Sequence, residues 1–299
     1  MKSYYFRGAV DNNWVKFGKE GNKDIYWRII RTNGDGSIRM IYSGTTAPTS
    51  STATVMTGTG TQISTSVFNS SRDKAEYVGY QYIERQQHGY GKCNRTSASC
   101  TVNGNTVYNS AIKQAIDKWY AGTTLKDNDL IADQIFCNDR SASTSAVAYL
   151  PTNYTTLTSW NSTGTAYYYG AYGRLSKSKS PVLTCAVDGD RFTVNKINGK
   201  GNSALTYPIG LITIDEVEMA GNNFNESVKS HYLYTGAHYW TGTPAAFDGD
   251  FSFEYSAMDE GGFSMSDVGI RFAARGVVSL SSESKLLGSG TYNDVYVVS

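Results

Sequence analysis

Ile25-Tyr26-Trp27-Arg28-Ile29-Ile30-Arg31-Thr32, then Asn33-Gly34-Asp35-Gly36, then Ser37-Ile38-Arg39-Met40-Ile41-Tyr42 is the stretch on which the fold turns. The two outer runs alternate with the period of a strand and are rich in branched and aromatic side chains. The Asn and Gly residues between them tolerate positive φ, so the chain reverses there as a hairpin. Near the other end, Val277-Val278-Ser279-Leu280 and Asp294-Val295-Tyr296-Val297-Val298 also read as strands. The strongest strands lie near the two termini and the helical patterns lie between them. That layout predicts an α+β fold whose terminal strands pair and close one domain over residues 1–299.

Two main helices stand out between the ends. In Ser110 to Tyr120 the apolar residues Ile112, Ala115, Ile116 and Trp119 recur at helical spacing, and Gly122 follows. A second helix starts at Thr213 with Glu216 three residues on, the pattern of a capping box, and stops at Gly221. Leu125 to Phe136 reads as a further short helix. Residues 43–66 are almost all Ser, Thr, Gly and Ala, which predicts exposed loop or an edge strand, and 141–170 predicts loop and short strands. The long insertions of loop and strand then fall at about 43–109 and 138–205.

Composition narrows the partners. A net charge of +1 gives no reason to expect nucleic acid or an anionic membrane surface. Tyr at 23 positions, Gly at 30 and only 18% charged residues point to β structure with polar, aromatic outer faces. No apolar stretch approaches the ~20 residues of a membrane span, so direct membrane insertion is not expected. Met1-Lys2-Ser3-Tyr4-Tyr5 enters folded-looking sequence at once. If the protein is exported, its leader or anchor lies outside these residues.

The cysteines are Cys93, Cys100, Cys137 and Cys185, an even count that allows three pairings. Cys93 and Cys100 flank a short polar loop, so a local staple is plausible there, and Cys137 with Cys185 then ties distant segments. Free thiols and a metal site remain as alternatives. Disulfides imply an oxidising compartment.

The late, glycine-punctuated segment at about 239–272 is the candidate ligand-binding region. Tyr239, Phe247, Phe251, Phe253, Tyr255, Met258, Phe263 and Met265 offer rings and thioethers, and Asp248, Asp250, Asp259 and Ser264 offer adaptable polar contacts. Strand periodicity argues that about half of the rings face inward, with Asp248, Asp250, Tyr255, Asp259 and Ser264 at the surface. On this reading, replacing Phe247, Tyr255 and Asp259 together leaves the melting temperature nearly unchanged and abolishes ligand capture. Trp240 and Arg275 read as structural, the arginine paired with a carboxylate such as Asp215.

No catalytic device is expected. G-x-S-x-G, H-E-x-x-H, P-loop and G-x-G-x-x-G patterns are absent from the sequence. His88, His231 and His238 lack helical zinc spacing and read as surface residues. No cofactor is called for, although Asp188-Gly189-Asp190 and Asp248-Gly249-Asp250 offer carboxylates that suit calcium. As turns they need no ion.

The anchors of the chain resemble a group of surface, pilin-associated proteins of Gram-positive gut bacteria. Tyr4-Tyr5-Phe6-Arg7-Gly8, Asn12 to Phe17, Trp27 to Gly36, Trp119-Tyr120, Phe136 to Arg140, Tyr207 to Glu216 and Tyr232 to Gly236 carry the likeness, which is scattered over nearly the whole chain. Two blocks depart from it. Trp240-Thr241-Gly242-Thr243-Pro244 has Thr where the group has Ser, and Ala274-Arg275-Gly276-Val277 has Gly where the group has Pro. The resemblance implies a C-type-lectin-like fold, shared with formylglycine-generating enzymes and with the variable proteins of diversity-generating retroelements. It also implies cell-surface display and a protein or glycan ligand on another cell or host surface, with a C-terminal region that a retroelement could diversify. The rival expectations are a structural pilus or wall subunit without a specific ligand, and an enzyme of the formylglycine-generating type, which needs a reactive cysteine.

Overall fold

A computed structural model describes residues 2–50, 58–93, 97–143, 160–164 and 166–299. The expected loops at 43–66 and 141–170 lie partly outside these residues. In chain order, β1 (Trp14–Glu20), β2 (Lys23–Thr32) and β3 (Ile38–Tyr42) open the chain. Short strands β4 (Ser64–Val67), β5 (Gln81–Tyr82), β6 (Ser99–Val102) and β7 (Asn105–Asn109) precede helix α1 (Ala111–Ala121). The middle holds β8 (Phe136–Cys137), β9 (Tyr167–Tyr168), a single turn α2 (Gly170–Tyr172), β10 (Arg191–Phe192) and α3 (Ile214–Met219). The late strands are β11 (Tyr239–Phe247), β12 (Ser252–Ala257), β13 (Phe263–Asp267), β14 (Arg271–Ala274), β15 (Val277–Leu280), β16 (Leu286–Leu287) and β17 (Tyr296–Val298). Sheet dominates and helices are few, within the α+β class.

The hairpin β2–β3 forms as its sequence requires. Asn33 N–H donates to the Ser37 carbonyl at 2.7 Å, and Gly36 takes φ +89°. The pair sits inside a six-stranded sheet ordered β15-β3-β2-β1-β17-β16. β1 and β17 pair in parallel, with Val15 opposite Tyr296, and β15 pairs antiparallel to β3, with Val277 opposite Ile41. The first and last strands are therefore neighbours, and the chain closes on itself.

The second large sheet runs β13-β12-β11-β14-β4, with β4 at its edge, at the end of the 43–66 stretch read as exposed loop or edge strand. β11 has β12 along one edge. Its other edge is shared by β14 at Tyr239 and by β9 at Ala246 and Phe247. All nine residues of β11 are buried. One continuous set of buried side chains, from Val15 to Leu280, joins the two sheets.

Helix α1 is capped by the Ser110 side chain, which accepts from Lys113 N–H. Its inner stripe is Ile112, Ile116 and Tyr120, and it also buries the Lys113–Asp117 ion pair at 2.5 Å. Trp119 is half-buried and meets the rings of Trp27 and Tyr42 edge-on. Helix α3 has the capping box: Glu216 N–H donates to Thr213 Oγ1 at 3.2 Å and Thr213 N–H donates to Glu216 Oε2 at 3.0 Å. The helix expected over Leu125 to Phe136 is absent; turns lead to β8. Asn128 Oδ1 accepts from Leu130 N–H, and Asp133 accepts from the amides of Val194 and Asn195. These side chains hold the backbone in turns and tie it to the distant segment after β10, which outweighs the local helical pattern.

Helix α3 carries a pH-dependent element. Burial, then the neighbouring Asp215 charge, push the Glu218 carboxyl up to about 7, against the opposing pull of Lys179 and Arg7. A carboxyl raised in the folded state contributes fully below its ordinary pKa and loses that contribution as pH rises through about 7. Glu218→Gln is expected to stabilise the protein by about 1 kcal/mol at pH 8 and to change little at pH 5, the gain being limited by screening. Urea midpoints at the two pH values check this; an equal effect at both would contradict it.

Candidate functional site

Both disulfides form, Cys93–Cys100 and Cys137–Cys185, so all four cysteines are bonded. They point to an oxidising, extracellular setting. Among the described residues no helix is long and apolar enough to cross a membrane.

The late segment divides sharply. Tyr239, Phe247, Tyr255 and Phe263 are in the core, each at 1% exposure or less. They are not surface contacts, which corrects the expectation for all four and most directly for Tyr255. The Tyr255 ring is boxed by Phe224 at 6.3 Å and Phe263 at 5.8 Å. Phe247 packs on Tyr167 at 6.1 Å, and the Tyr239 hydroxyl donates to the Leu233 carbonyl at 3.3 Å. The sequence rule assumed one wet face on these strands. Instead rings from earlier segments cover the outer side: Tyr167 packs on Phe247, and Phe224, itself against Tyr172, packs on Tyr255 and Phe263. The combined replacement of Phe247, Tyr255 and Asp259 therefore breaks the core and cannot isolate a binding effect.

The remaining candidates reach the surface at opposite ends of β12. Asp248, Asp250 and Phe251 form the β11–β12 turn; Met258 and Asp259 lie at the β12–β13 turn, and all five are exposed or half-buried. Six strand residues separate the two ends, about 20 Å. Phe253 and Met265 are half-buried and lean on the core, and Ser264 is half-buried on β13.

The first end is rigidly built. Asp248 Oδ1 accepts from the amides of Asp250 at 2.9 Å and Phe251 at 2.6 Å. Phe251 remains 36% exposed, with the Arg72 guanidinium 4.5 Å over its ring. Asp267 fixes that arginine through a 2.7 Å ion pair. Ile270, 44% exposed, follows on the same strand connection. Arg72 and Ile270 were not among the sequence candidates, because nothing local marks a residue that packs from so far along the chain.

At the second end Tyr234 Oη donates to the Asp259 carbonyl, and His238 lies 3.5 Å from the Asp259 carboxylate while stacking on Phe272. The glycines here serve packing: a Cβ at Gly262 would lie 2.0 Å from the Glu226 carbonyl oxygen. His231 is buried, contrary to the surface reading, and burial pushes its pKa down to about 4, so the ring is neutral. His88 is held by the buried Asp190 at 2.9 Å.

The two Asp-Gly-Asp turns are closed by their own bonds. Asp188 accepts from Gly201 N–H and Arg191, and Asp190 holds Arg140. Among the described residues no cluster of three His, Cys, Asp or Glu side chains is placed to hold a metal ion. Trp240 fills the core and its Nε1–H donates to the Ser66 carbonyl at 2.9 Å. Arg275 is buried too, but its partner is not Asp215. It donates to the carbonyls of Tyr42 and Leu233 and to Ser43 Oγ, and it lies over the Tyr239 ring. Asp215 is taken by Arg174 through two 2.7 Å bonds. At Gly276, where the resembled group has Pro, a Cβ would come within 2.8 Å of Ile209 Cδ1.

No family model, curated protein or solved structure matches this chain.

Proposed function

We infer that this is an extracellular, C-type-lectin-like recognition protein that meets a protein or glycan on another cell surface through the Phe251 end of its second sheet. The observation that carries the reading is the pre-ordered aromatic. An exposed ring fixed by an Asp turn beneath it and an arginine above it loses little entropy on binding, so its burial against a partner is retained as affinity. The closed pair of terminal strands and the two disulfides support a rigid frame behind that ring. The four bonded cysteines offer no thiol for chemistry of the formylglycine-generating type. On the retroelement reading, the positions free to vary are Asp250, Phe251, Met258, Asp259 and Ser264, whose side chains the core does not need, while Asp248 keeps the turn.

Phe251→Ala is the test. Folding stability is expected to fall by no more than about 1 kcal/mol, the worth of the exposed Arg72–ring contact, because the ring is not part of the core. Binding to responding cells or arrayed glycans is expected to fall by about 2 kcal/mol, roughly thirtyfold. Silence of the wild type across broad cell and glycan panels supports a structural wall subunit instead.

A further inference from the structure

We propose that the cleft beside the Cys137–Cys185 disulfide is a second binding site, for a small organic molecule that ends in a carboxylate. The cleft encloses about 290 Å³ and lies between the β2–β3 hairpin, the start of α3 and the loop that carries Cys185. It is distinct from the Phe251 surface; of β11–β14 only Thr243 lines it. Its lining carries five cations, Arg31, Arg39, Arg174, Arg191 and Lys200, against three carboxylates, Asp139, Asp215 and Glu216. This small region thus holds more positive charge than the whole chain, whose net charge is +1.

The resident carboxylates are already occupied. Glu216 is 2.8 Å from both Arg31 Nε and Arg39 Nε, and its other oxygen accepts from Thr213 N–H. Asp215 is gripped by the fork of Arg174 and by Val182 N–H. Two cationic groups are left with capacity. Arg31 donates from Nε and Nη1, and among the described residues nothing takes its Nη2. Lys200 is exposed, and its ammonium has no partner among the described residues. A guanidinium edge and a flexible ammonium are donors suited to a carboxylate.

The rim selects for an organic anion over an inorganic one. Val182 and Leu183, each 38% exposed, give the cleft an apolar lip that an aliphatic segment can cover. The volume is at the small end for ligand sites, which fits a sugar acid or the last residues of a peptide rather than a larger cofactor.

Calorimetric titration of the intact, oxidised protein at low salt tests this. The probes are glucuronate, N-acetylneuraminate and N-acetyl-alanyl-alanine, with glucose, N-acetyl-alanyl-alanine amide and inorganic phosphate as controls. At least one carboxylate is expected to bind with a Kd below about 1 mM and at least tenfold more tightly than its uncharged counterpart. Which carboxylate binds separates a sugar source from a peptide source. Lys200→Glu, at an exposed position, is expected to fold normally and to weaken that binding at least tenfold, while Phe251→Ala leaves it unchanged. Binding of no carboxylate, equal binding of the neutral probe or of phosphate, or an unchanged Kd in Lys200→Glu overturns the proposal. The Phe251 surface is read in a separate assay, so either site can fail without the other.

Discussion

Tyr255→Ala is expected to lower folding stability by about 3–5 kcal/mol, the range for deleting a large ring from a packed interior. Tyr255 is fully buried, and its ring stands between Phe224 and Phe263 at the centre of β12. Deleting it leaves a cavity bounded by β strands that cannot collapse, because β11 on one side and β13 on the other hold their register through hydrogen bonds. Tyr255→Phe separates ring from hydroxyl. Among the described residues the hydroxyl has no hydrogen-bond partner, so removing it relieves a desolvation cost and is expected to be neutral or stabilising by up to about 1 kcal/mol. Chemical denaturation of the two variants reads both effects. An alanine variant within 1 kcal/mol of wild type would show that the late strands present this ring to solvent after all.

The contrast with Phe251 shows what sequence pattern can and cannot reveal. Alternation along β2 and β3 was legible because both strands lie within one regular sheet and their turn is encoded in Asn33 to Gly36. The capping box at Thr213 and Glu216 was legible for the same reason: its partners are three residues apart. The pairing of the two chain ends followed from where the apolar runs fall. In the late strands the two-residue period gave the right mixture of buried and accessible rings but not their identity. Burial there is decided by Tyr167 and Phe224, which lie 80 and 39 residues before the rings they pack on, Phe247 and Phe263. The same limit hid the cleft. Arg31 and Arg39 break apolar runs in the opening hairpin and were visible as charges in strands, yet their shared partner Glu216 becomes apparent only when α3 is docked beneath them.

Arg140→Ala is expected to cost about 3–5 kcal/mol at pH 7, because it strands a buried carboxylate. Arg140 and Asp190 are both at 0% exposure. The arginine Nε donates to Asp190 Oδ1 at 2.8 Å, its backbone N–H donates to Oδ2 at 2.8 Å, and its Nη1 reaches the Gln81 carbonyl. The pair thereby joins the turn before β10 to β5. Burial alone would raise the Asp190 carboxyl; the Arg140 charge and the bonds from His88 and the backbone outweigh it and hold it below its ordinary value. A depressed carboxyl contributes its stability above the unfolded pKa, about 3.9, and loses it as pH falls further. Without Arg140 the sign reverses. Burial then prevails, the carboxyl rises, and its penalty is largest near neutrality and shrinks on acidification. The gap between variant and wild type is therefore expected to narrow from pH 7 to pH 4. Arg140→Met combined with Asp190→Leu removes both charges and keeps apolar bulk in their place, so it is expected to be less destabilised than Arg140→Ala alone. A penalty in Arg140→Ala that grows toward acid pH, or a double variant worse than the single one, would mean that the pair is not what holds this junction together.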